Sequence, residues 1–162
     1  MRGLFLVRQD IRLDDNPALK CAFKECDQVH TLYIYSYNQL KNHHESDIKI
    51  SLLIKSLKLL SRDLDDLNVG LTVIKTESFQ EDPLKVQDFF VENKFDYLYF
   101  NKTFGEDENS RDNKIKEVFK KKNLKYKSFT DQVLFEPGSI KTGEGKAYSV
   151  FTPFKRKWLE NF

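Results

Sequence analysis

Three groups of ionisable residues follow short apolar segments, and their side chains are of the types that bind ligands or carry protons. The groups are Arg8, Asp10 and Arg12; His43 and His44; and Asp107 and Glu108. A carboxylate accepts hydrogen bonds in pairs, an arginine donates them, and a neutral imidazole does both. These residues indicate a binding site, and they do not by themselves specify a reaction.

The first of these groups also has a structural interpretation. Arg8, Asp10 and Arg12 alternate in charge along the turn that follows the first apolar segment. Opposite charges at this spacing form charge-assisted hydrogen bonds. We therefore expect the three residues to pair across the turn and hold it in place, in preference to contacting a ligand.

Other familiar sites are not supported by the sequence. His43 and His44, followed by Glu45, are metal-ligand types, but adjacent histidines in a polar segment are more often solvated. No Gly-x-Gly-x-x-Gly follows the first apolar segment, and no Gly-x-x-x-x-Gly-Lys-Ser/Thr occurs, which argues against dinucleotide and P-loop phosphate sites. No Ser-His-Asp or Cys-His nucleophile can be assembled from the spacing.

Apolar and β-branched segments alternate with helical patterns along the chain. Strands are predicted at residues 3–7, 28–35, 71–74, 97–100 and 124–128. Helices are predicted at residues 16–25, 48–67, from 83 onward and 110–122, with loops at 36–46 and 101–109. The alternation predicts an α/β fold: a Rossmann-like, doubly wound, five-stranded parallel sheet in a three-layer α/β/α arrangement.

This fold predicts where the three polar groups meet. In the usual order, strand one lies beside strand four, and ligands bind outside the carboxyl ends of the strands. The loops after strands one, two and four then open on one rim. We therefore expect Arg8, His43, Asp107 and Glu108 to lie at the same edge of the sheet.

Composition places limits on compartment and partners. The net charge is +2, with 40% hydrophobic residues, which favours a globular domain and gives no electrostatic case for nucleic-acid binding by this segment alone. No apolar stretch is long enough to span a membrane, and no secretion signal is evident. Cys21 and Cys26 face different directions on one predicted helix, so buried free thiols and a cytoplasmic location are expected.

The character of the chain changes after Asp131. Residues 136–145 are rich in turn formers, and residues 148–159 contain several aromatic side chains that need a covering surface. We expect a domain at 1–131 and, at 132–162, the start of a connection to a following domain. Folding of this tail back onto the sheet is the alternative. The chain is expected to be a monomer, with artificial dimers through the uncovered aromatic surface.

Four motifs in order resemble the DNA photolyase and cryptochrome family over essentially the whole chain. They are Arg8 to Leu19; Ser110-Arg111-Asp112; Leu134 to Gly138; and Tyr148 to Phe154 with Trp158. The resemblance covers the family's N-terminal α/β domain and is greatest to folate-type bacterial photolyases of cyclobutane dimers. It implies that a helical domain beyond residue 162 binds FAD and damaged DNA, so that this chain alone is not catalytic.

The resemblance also implies a light-harvesting (antenna) chromophore. Its candidates are 5,10-methenyltetrahydrofolate and, as the alternative, a deazaflavin. The family's folate-binding histidine falls on His43, and its asparagine-glutamate pair falls on Asp107 and Glu108. A carboxylate such as Glu108 can accept the paired N–H donors of a pterin. The chain departs from the family at two positions: Asp107 stands where the family has asparagine, and Leu6 where it has tryptophan. The resemblance also implies that further folate contacts come from the helical domain, so we expect weak or no folate binding by this chain alone.

The expected function is therefore that of the light-harvesting domain of a deoxyribodipyrimidine photolyase, a lyase that repairs DNA using light. The alternatives are a cryptochrome that signals in blue light, and a free-standing nucleotide- or flavin-binding domain. The residues of this domain do not discriminate repair from signalling, and they do not specify the lesion.

Overall fold

Five parallel strands form one sheet in the computed structural model, which describes residues 1–162. The strands are β1 (Arg2–Val7), β2 (Gln28–Ser36), β3 (Leu71–Thr76), β4 (Tyr97–Asn101) and β5 (Tyr126–Phe129). Their order is β3-β2-β1-β4-β5, and β1 pairs in parallel with both β2 and β4. From β1 the chain adds β2 and β3 on one side of the sheet and then β4 and β5 on the other. This is the predicted doubly wound, five-stranded parallel fold.

Helices cover both faces of the sheet. In chain order the helices are α1 (Pro17–Glu25), α2 (Tyr37–Asn42), α3 (Asp47–Asp65), α4 (Asp82–Glu92), α5 (Glu106–Lys121) and α6 (Phe151–Asn161), and of these α1 and α3 cover one face of the sheet and α4 and α5 the other. Alternate residues of β1 point to opposite faces, so Phe5 and Val7 pack with α1 and α3, whereas Leu4 and Leu6 pack with α4 and α5. The result is the three-layer α/β/α arrangement. None of the six helices has the length and apolar character that crossing a membrane requires.

The first helix begins as the sequence predicts. The Asn16 side chain accepts a hydrogen bond from the Leu19 amide at 3.1 Å, and Pro17 occupies the first helical position. A proline there loses no hydrogen bond, since the first amides of a helix have no partner within it.

Two helices contradict the predicted loops. Helix α2 lies inside the segment predicted as a polar loop at 36–46, and α5 begins at Glu106 although residues 101–109 were predicted as loop. Glu106, Asp107 and Glu108 form the first turn of α5. Acidic side chains there interact favourably with the amino end of the helix dipole, so this polar run starts the helix.

The structure has two compact units, Met1–Phe129 and Thr130–Phe162. The second unit contains α6, a helix that was not predicted. Its aromatic residues recur at helical spacing, and the Trp158 ring packs edge-on against Phe135 at 5.4 Å and stacks on Phe162 at 5.5 Å. Phe151 and Phe162 remain largely exposed.

Buried polar side chains fill the space where β1 and β4 end. The Asn101 amide donates to Asp10 Oδ2 at 2.6 Å and to Asn16 Oδ1 at 2.8 Å, while its carbonyl oxygen accepts from the Ala18 amide at 3.2 Å. Asp10 also accepts from the Arg8 backbone amide at 2.8 Å. This network joins β1, α1 and β4 and satisfies groups that would otherwise be buried without partners.

The predicted pairing across the turn is wrong for the Arg8 side chain. The Arg8 side chain pairs with Asp112 of α5, and the Arg12 side chain donates to the Asp15 carbonyl at 2.8 Å. The Asp10 carboxylate accepts instead from the Arg8 backbone amide and from the Asn101 side-chain amide. A sequence of alternating charges does not reveal a partner on a distant helix.

Cys21 and Cys26 are free thiols, and they are half-buried where full burial was predicted. Cys26 Sγ lies 3.4 Å from the Tyr99 hydroxyl, and a Cβ at Gly3 would lie 2.8 Å from the same sulfur. Burial raises the pKa of both thiols above the ordinary value. Neither cysteine is therefore an activated nucleophile.

Replacing Asn101 tests the buried network. We expect Asn101→Ala to lower the free energy of unfolding by about 2–4 kcal/mol, since the Ala18 amide loses its partner and Asp10 and Asn16 each lose a buried hydrogen bond. The matched control is Asn38→Ala, whose exposed side chain donates to Glu77, with an expected loss below about 1 kcal/mol. Urea unfolding measures both, and equal losses would show that the network is not a stability determinant.

Candidate functional site

A cleft of about 500 Å³ opens at the carboxyl edge of the sheet. Its apolar wall comes from Ile11 after β1 and from Ile50 and Leu53 on α3, and its polar groups include Arg8, His43 and Glu108. Volume and lining are those of a small-molecule site. The cleft also takes in Phe79 after β3, a loop that the predicted rim did not include.

His43 and Asp107, which the sequence places 64 residues apart, are in contact. His43 Nε2 lies 2.9 Å from Asp107 Oδ2. Gln39 Nε2 lies 3.1 Å from the same oxygen and 2.7 Å from His43 Nε2. Gln39 and His43 line the cleft, whereas Asp107 stands behind them and does not line it. His44 is exposed beyond the end of α2 and is not part of the cleft.

Glu108 lines the cleft from the first turn of α5. Its carboxylate lies over Gly105, the residue that precedes the helix, so closely that a Cβ at Gly105 would be 2.1 Å from Oε2. Glycine at this position therefore leaves room for the carboxylate. The backbone there has φ −62°, so space and not backbone conformation is what the glycine supplies.

Two buried arginines form the floor of the cleft. Arg8 Nη1 pairs with Asp112, its Cζ lies 5.0 Å from the Phe100 ring centre, and Nε and Nη2 have no hydrogen-bond partner. Burial lowers the pKa of Arg8 to about 10, against the opposing effect of Asp112, so the guanidinium is charged at neutral pH. Arg111 lies over the Phe79 ring at 4.4 Å.

A buried carboxylate braces this floor from the side of β2 and β3. Asp82 accepts from Ser36 Oγ at 2.9 Å and from Thr76 Oγ1 at 2.7 Å, which joins the last residues of β2 and β3 to the start of α4. Arg111 Nη1 lies 4.0 Å away. Burial raises the pKa of Asp82, opposed by these hydrogen bonds and by the Arg111 charge.

Four residues of this region were not among the predicted site residues: Gln39, Phe79, Asp82 and Arg111. Arg111 could have been found from the sequence, since it belongs to the Ser110-Arg111-Asp112 motif that follows β4. Gln39 and Phe79 carried none, because each belongs to a segment whose path over the sheet is set by tertiary packing. No group of three or more histidine, cysteine or acidic side chains is arranged to hold a metal ion.

The arrangement is suited to binding. It offers a flat apolar wall, a carboxylate at the rim, and guanidinium groups in the floor. Ser36 lines the cleft beside the Asp82 carboxylate, but both side chains are buried in the hydrogen-bond network that joins β2, β3 and α4. The chemistry that the lining side chains support is recognition of a ring-bearing ligand with hydrogen-bonding edges.

Comparison with known proteins gives the family. The DNA photolyase family model matches residues 3–162. A deoxyribodipyrimidine photo-lyase of Vibrio cholerae is 32% identical over 159 residues, covering 98% of this chain and 34% of that protein. Cryptochrome-1 of Arabidopsis thaliana is more distant, at 24% identity over 152 residues.

A solved structure agrees with the sequence matches. The archaeal photolyase of Sulfolobus tokodaii, described as holding two FAD molecules and implying a novel light-harvesting cofactor, superposes with a TM-score of 0.79 at 30% identity. The match covers 97% of this chain and 34% of that one. The chain belongs to the DNA photolyase family, is homologous to its N-terminal α/β domain, and spans about a third of the length of the curated relatives it matches.

The raised pKa of Asp82 predicts a pH dependence. Where the folded-state pKa lies above the unfolded value, the folded state holds the proton more tightly, so stability falls as pH rises between the two. We expect wild type to lose stability relative to Asp82→Asn from about pH 4 upward, by at most about 1.4 kcal/mol per pH unit.

Urea unfolding across this pH range measures the difference. The control is Asp88→Asn, an exposed position on the same helix. A stability difference between wild type and Asp82→Asn that is the same at acidic and neutral pH would contradict the prediction.

Proposed function

We propose that this chain is the light-harvesting domain of a deoxyribodipyrimidine photolyase and that its cleft holds the antenna chromophore. The observation that carries the proposal is the cleft itself, where Glu108 and His43 meet an apolar wall of a size suited to a fused-ring ligand. Its walls come from segments that follow β1, β2, β3 and β4, so the fold assembles it from distant parts of the chain.

Glu108 favours 5,10-methenyltetrahydrofolate as the chromophore. A pterin edge presents an N–H and an amino group side by side, and both can donate to one carboxylate. A deazaflavin presents one N–H between two carbonyl oxygens, which a carboxylate repels. The flavin-type ligand remains the alternative, supported by the second FAD described for the Sulfolobus tokodaii photolyase.

The parent reaction is proposed by analogy with the curated relatives. In this proposal residues 132–162 lead into a helical domain that binds FAD and damaged DNA, and reduced FAD supplies the electron that opens a cyclobutane dimer. Excitation energy absorbed in the α/β domain is passed to that flavin. A cytoplasmic location and a monomeric chain remain part of the proposal. The photo-lyase of Vibrio cholerae is 32% identical to this chain and Cryptochrome-1 of Arabidopsis thaliana 24%, which favours repair over signalling.

Titration with 5,10-methenyltetrahydrofolate tests the site. We expect the wild-type chain to bind weakly, with a dissociation constant above about 1 µM, and Glu108→Gln to weaken binding about 10-fold or more by converting a paired acceptor into a mixed donor and acceptor. Glu106→Gln is the matched control: it lies in the same helical turn, is exposed, and does not line the cleft.

The absorption change of the chromophore on binding gives the affinities. Unchanged affinity in Glu108→Gln would remove Glu108 from the site. Tighter binding of a deazaflavin than of the folate by the wild-type chain would assign the alternative chromophore.

Gly105 gives an independent test of Glu108 geometry. Gly105→Ala adds a Cβ where Glu108 Oε2 now lies, so the carboxylate must swing away, and we expect folate affinity to fall several-fold. Stability should change by less than about 1 kcal/mol, because the backbone conformation suits alanine. Gly143→Ala is the control, since a Cβ there meets nothing within 4 Å. Equal folate binding by both variants would refute the stated position of Glu108.

A further inference from the structure

Helix α2 is attached to the rest of the domain without burying a residue. It has six residues, none of them buried, and no side chain caps its amino end. Gln39 and Leu40 of this helix, and His43 just after it, form one side of the cleft. Burial of apolar surface is the main source of stability for a helix this short, and Tyr37 and Leu40 are only half-buried, so polar contacts contribute to holding α2 in place.

Those contacts fall into two sets. Away from the cleft, the Asn38 side chain donates to Glu77 at 2.8 Å, the Asn38 backbone amide donates to the Glu77 carbonyl at 3.0 Å, and the Lys75 ammonium of β3 lies 4.9 Å from the Tyr37 ring centre. At the cleft, Gln39 and His43 converge on one oxygen of Asp107. The second set is the one that joins α2 to the first turn of α5.

The direct hydrogen bond between His43 and Asp107 exists in one neutral form of His43, and in the other form Gln39 links the two side chains. With the proton on Nε2, the imidazole donates to Asp107 Oδ2. With the proton on Nδ1, Nε2 accepts from the Gln39 amide, which lies 2.7 Å away and also donates to Asp107. The three side chains therefore remain connected whichever nitrogen carries the proton.

We propose that Gln39, His43 and Asp107 form a latch that joins α2 to α5 and opens to admit the ligand of the cleft. Asp107 is then a positioning residue that acts through Gln39 and His43, and Glu108 is the neighbouring residue that contacts the ligand. The inference rests on the proposed chromophore site. It also accounts for an aspartate beside Glu108, because its oxygen is used by α2 and not by a ligand.

A ligand-free experiment tests the latch directly. Hydrogen exchange of the backbone amides at residues 37–46 reports how often α2 opens. We expect exchange about 5- to 10-fold faster in Asp107→Ala, and near wild type in Asp107→Asn, whose carbonyl oxygen still accepts from both partners. Glu106→Ala is the control for removing an acidic side chain from the same helical turn.

The outcomes of this experiment distinguish a latch formed by the Asp107 side chain from a general effect of removing negative charge at the start of α5. Faster exchange confined to Asp107→Ala and to residues 37–46 supports the latch. Equal exchange in Asp107→Ala and Glu106→Ala overturns it. Acceleration throughout the domain in Asp107→Ala also overturns it, because the side chain would then stabilise the whole fold.

Stopped-flow binding of 5,10-methenyltetrahydrofolate distinguishes a latch from a ligand contact. An opened latch raises association and dissociation rates together, about 5-fold each, and leaves the dissociation constant within about 3-fold of wild type. A lost ligand contact raises the dissociation rate alone and would overturn the positioning role. If the wild-type chain alone binds no folate, the exchange experiment still decides the latch, because it needs no ligand.

Discussion

The ion pair between Arg8 and Asp112 fixes the relation between the sheet and its site. Both side chains are almost completely buried, and a buried charge is tolerated only when it is paired. Asp112 lies one helical turn beyond Glu108, so both project from the same side of α5. Pairing Asp112 with the end of β1 therefore brings Glu108 to the cleft. Asp112 also lies 3.4 Å from the Arg111 guanidinium, so one buried carboxylate holds both arginines of the cleft floor.

The crossover point between β1 and β4 does not hold the cleft. In doubly wound sheets this point is the usual place for a ligand. Here Asp10, Asn16 and Asn101 fill it with mutual hydrogen bonds. The cleft is displaced toward β2, with α3 as its outer wall and Phe79 from the loop after β3. The charged turn after β1 thus has two roles: its aspartate closes the crossover point, and its arginine supports the neighbouring cleft.

The strands and the place of β1 beside β4 follow from the sequence, because short apolar or β-branched segments alternate with helical patterns and doubly wound sheets have a usual order. The meeting of His43 with Asp107 also follows, since loops after β2 and β4 share an edge. The start of α5 at Glu106 does not follow from the sequence, because its acidic first turn has the composition of a loop. Arg8 illustrates the larger limit: its partner lies 104 residues away, and charge pattern alone selects a nearer aspartate. Gln39 and Phe79 belong to segments whose paths depend on tertiary packing, and no local pattern specifies that.

The central position of the first strand has a consequence for how the chain folds. Arg2 donates its backbone amide to Asp96, 94 residues later, and β1 is flanked by β2 and β4. Of the five strands β1 is synthesised first, but one of its edges stays unpaired until β4 (Tyr97–Asn101) has followed. Closing so long a loop is entropically costly, and such pairings slow folding. A nascent chain therefore exposes an apolar strand with a free edge, which is the kind of segment that chaperones bind and that aggregates form from.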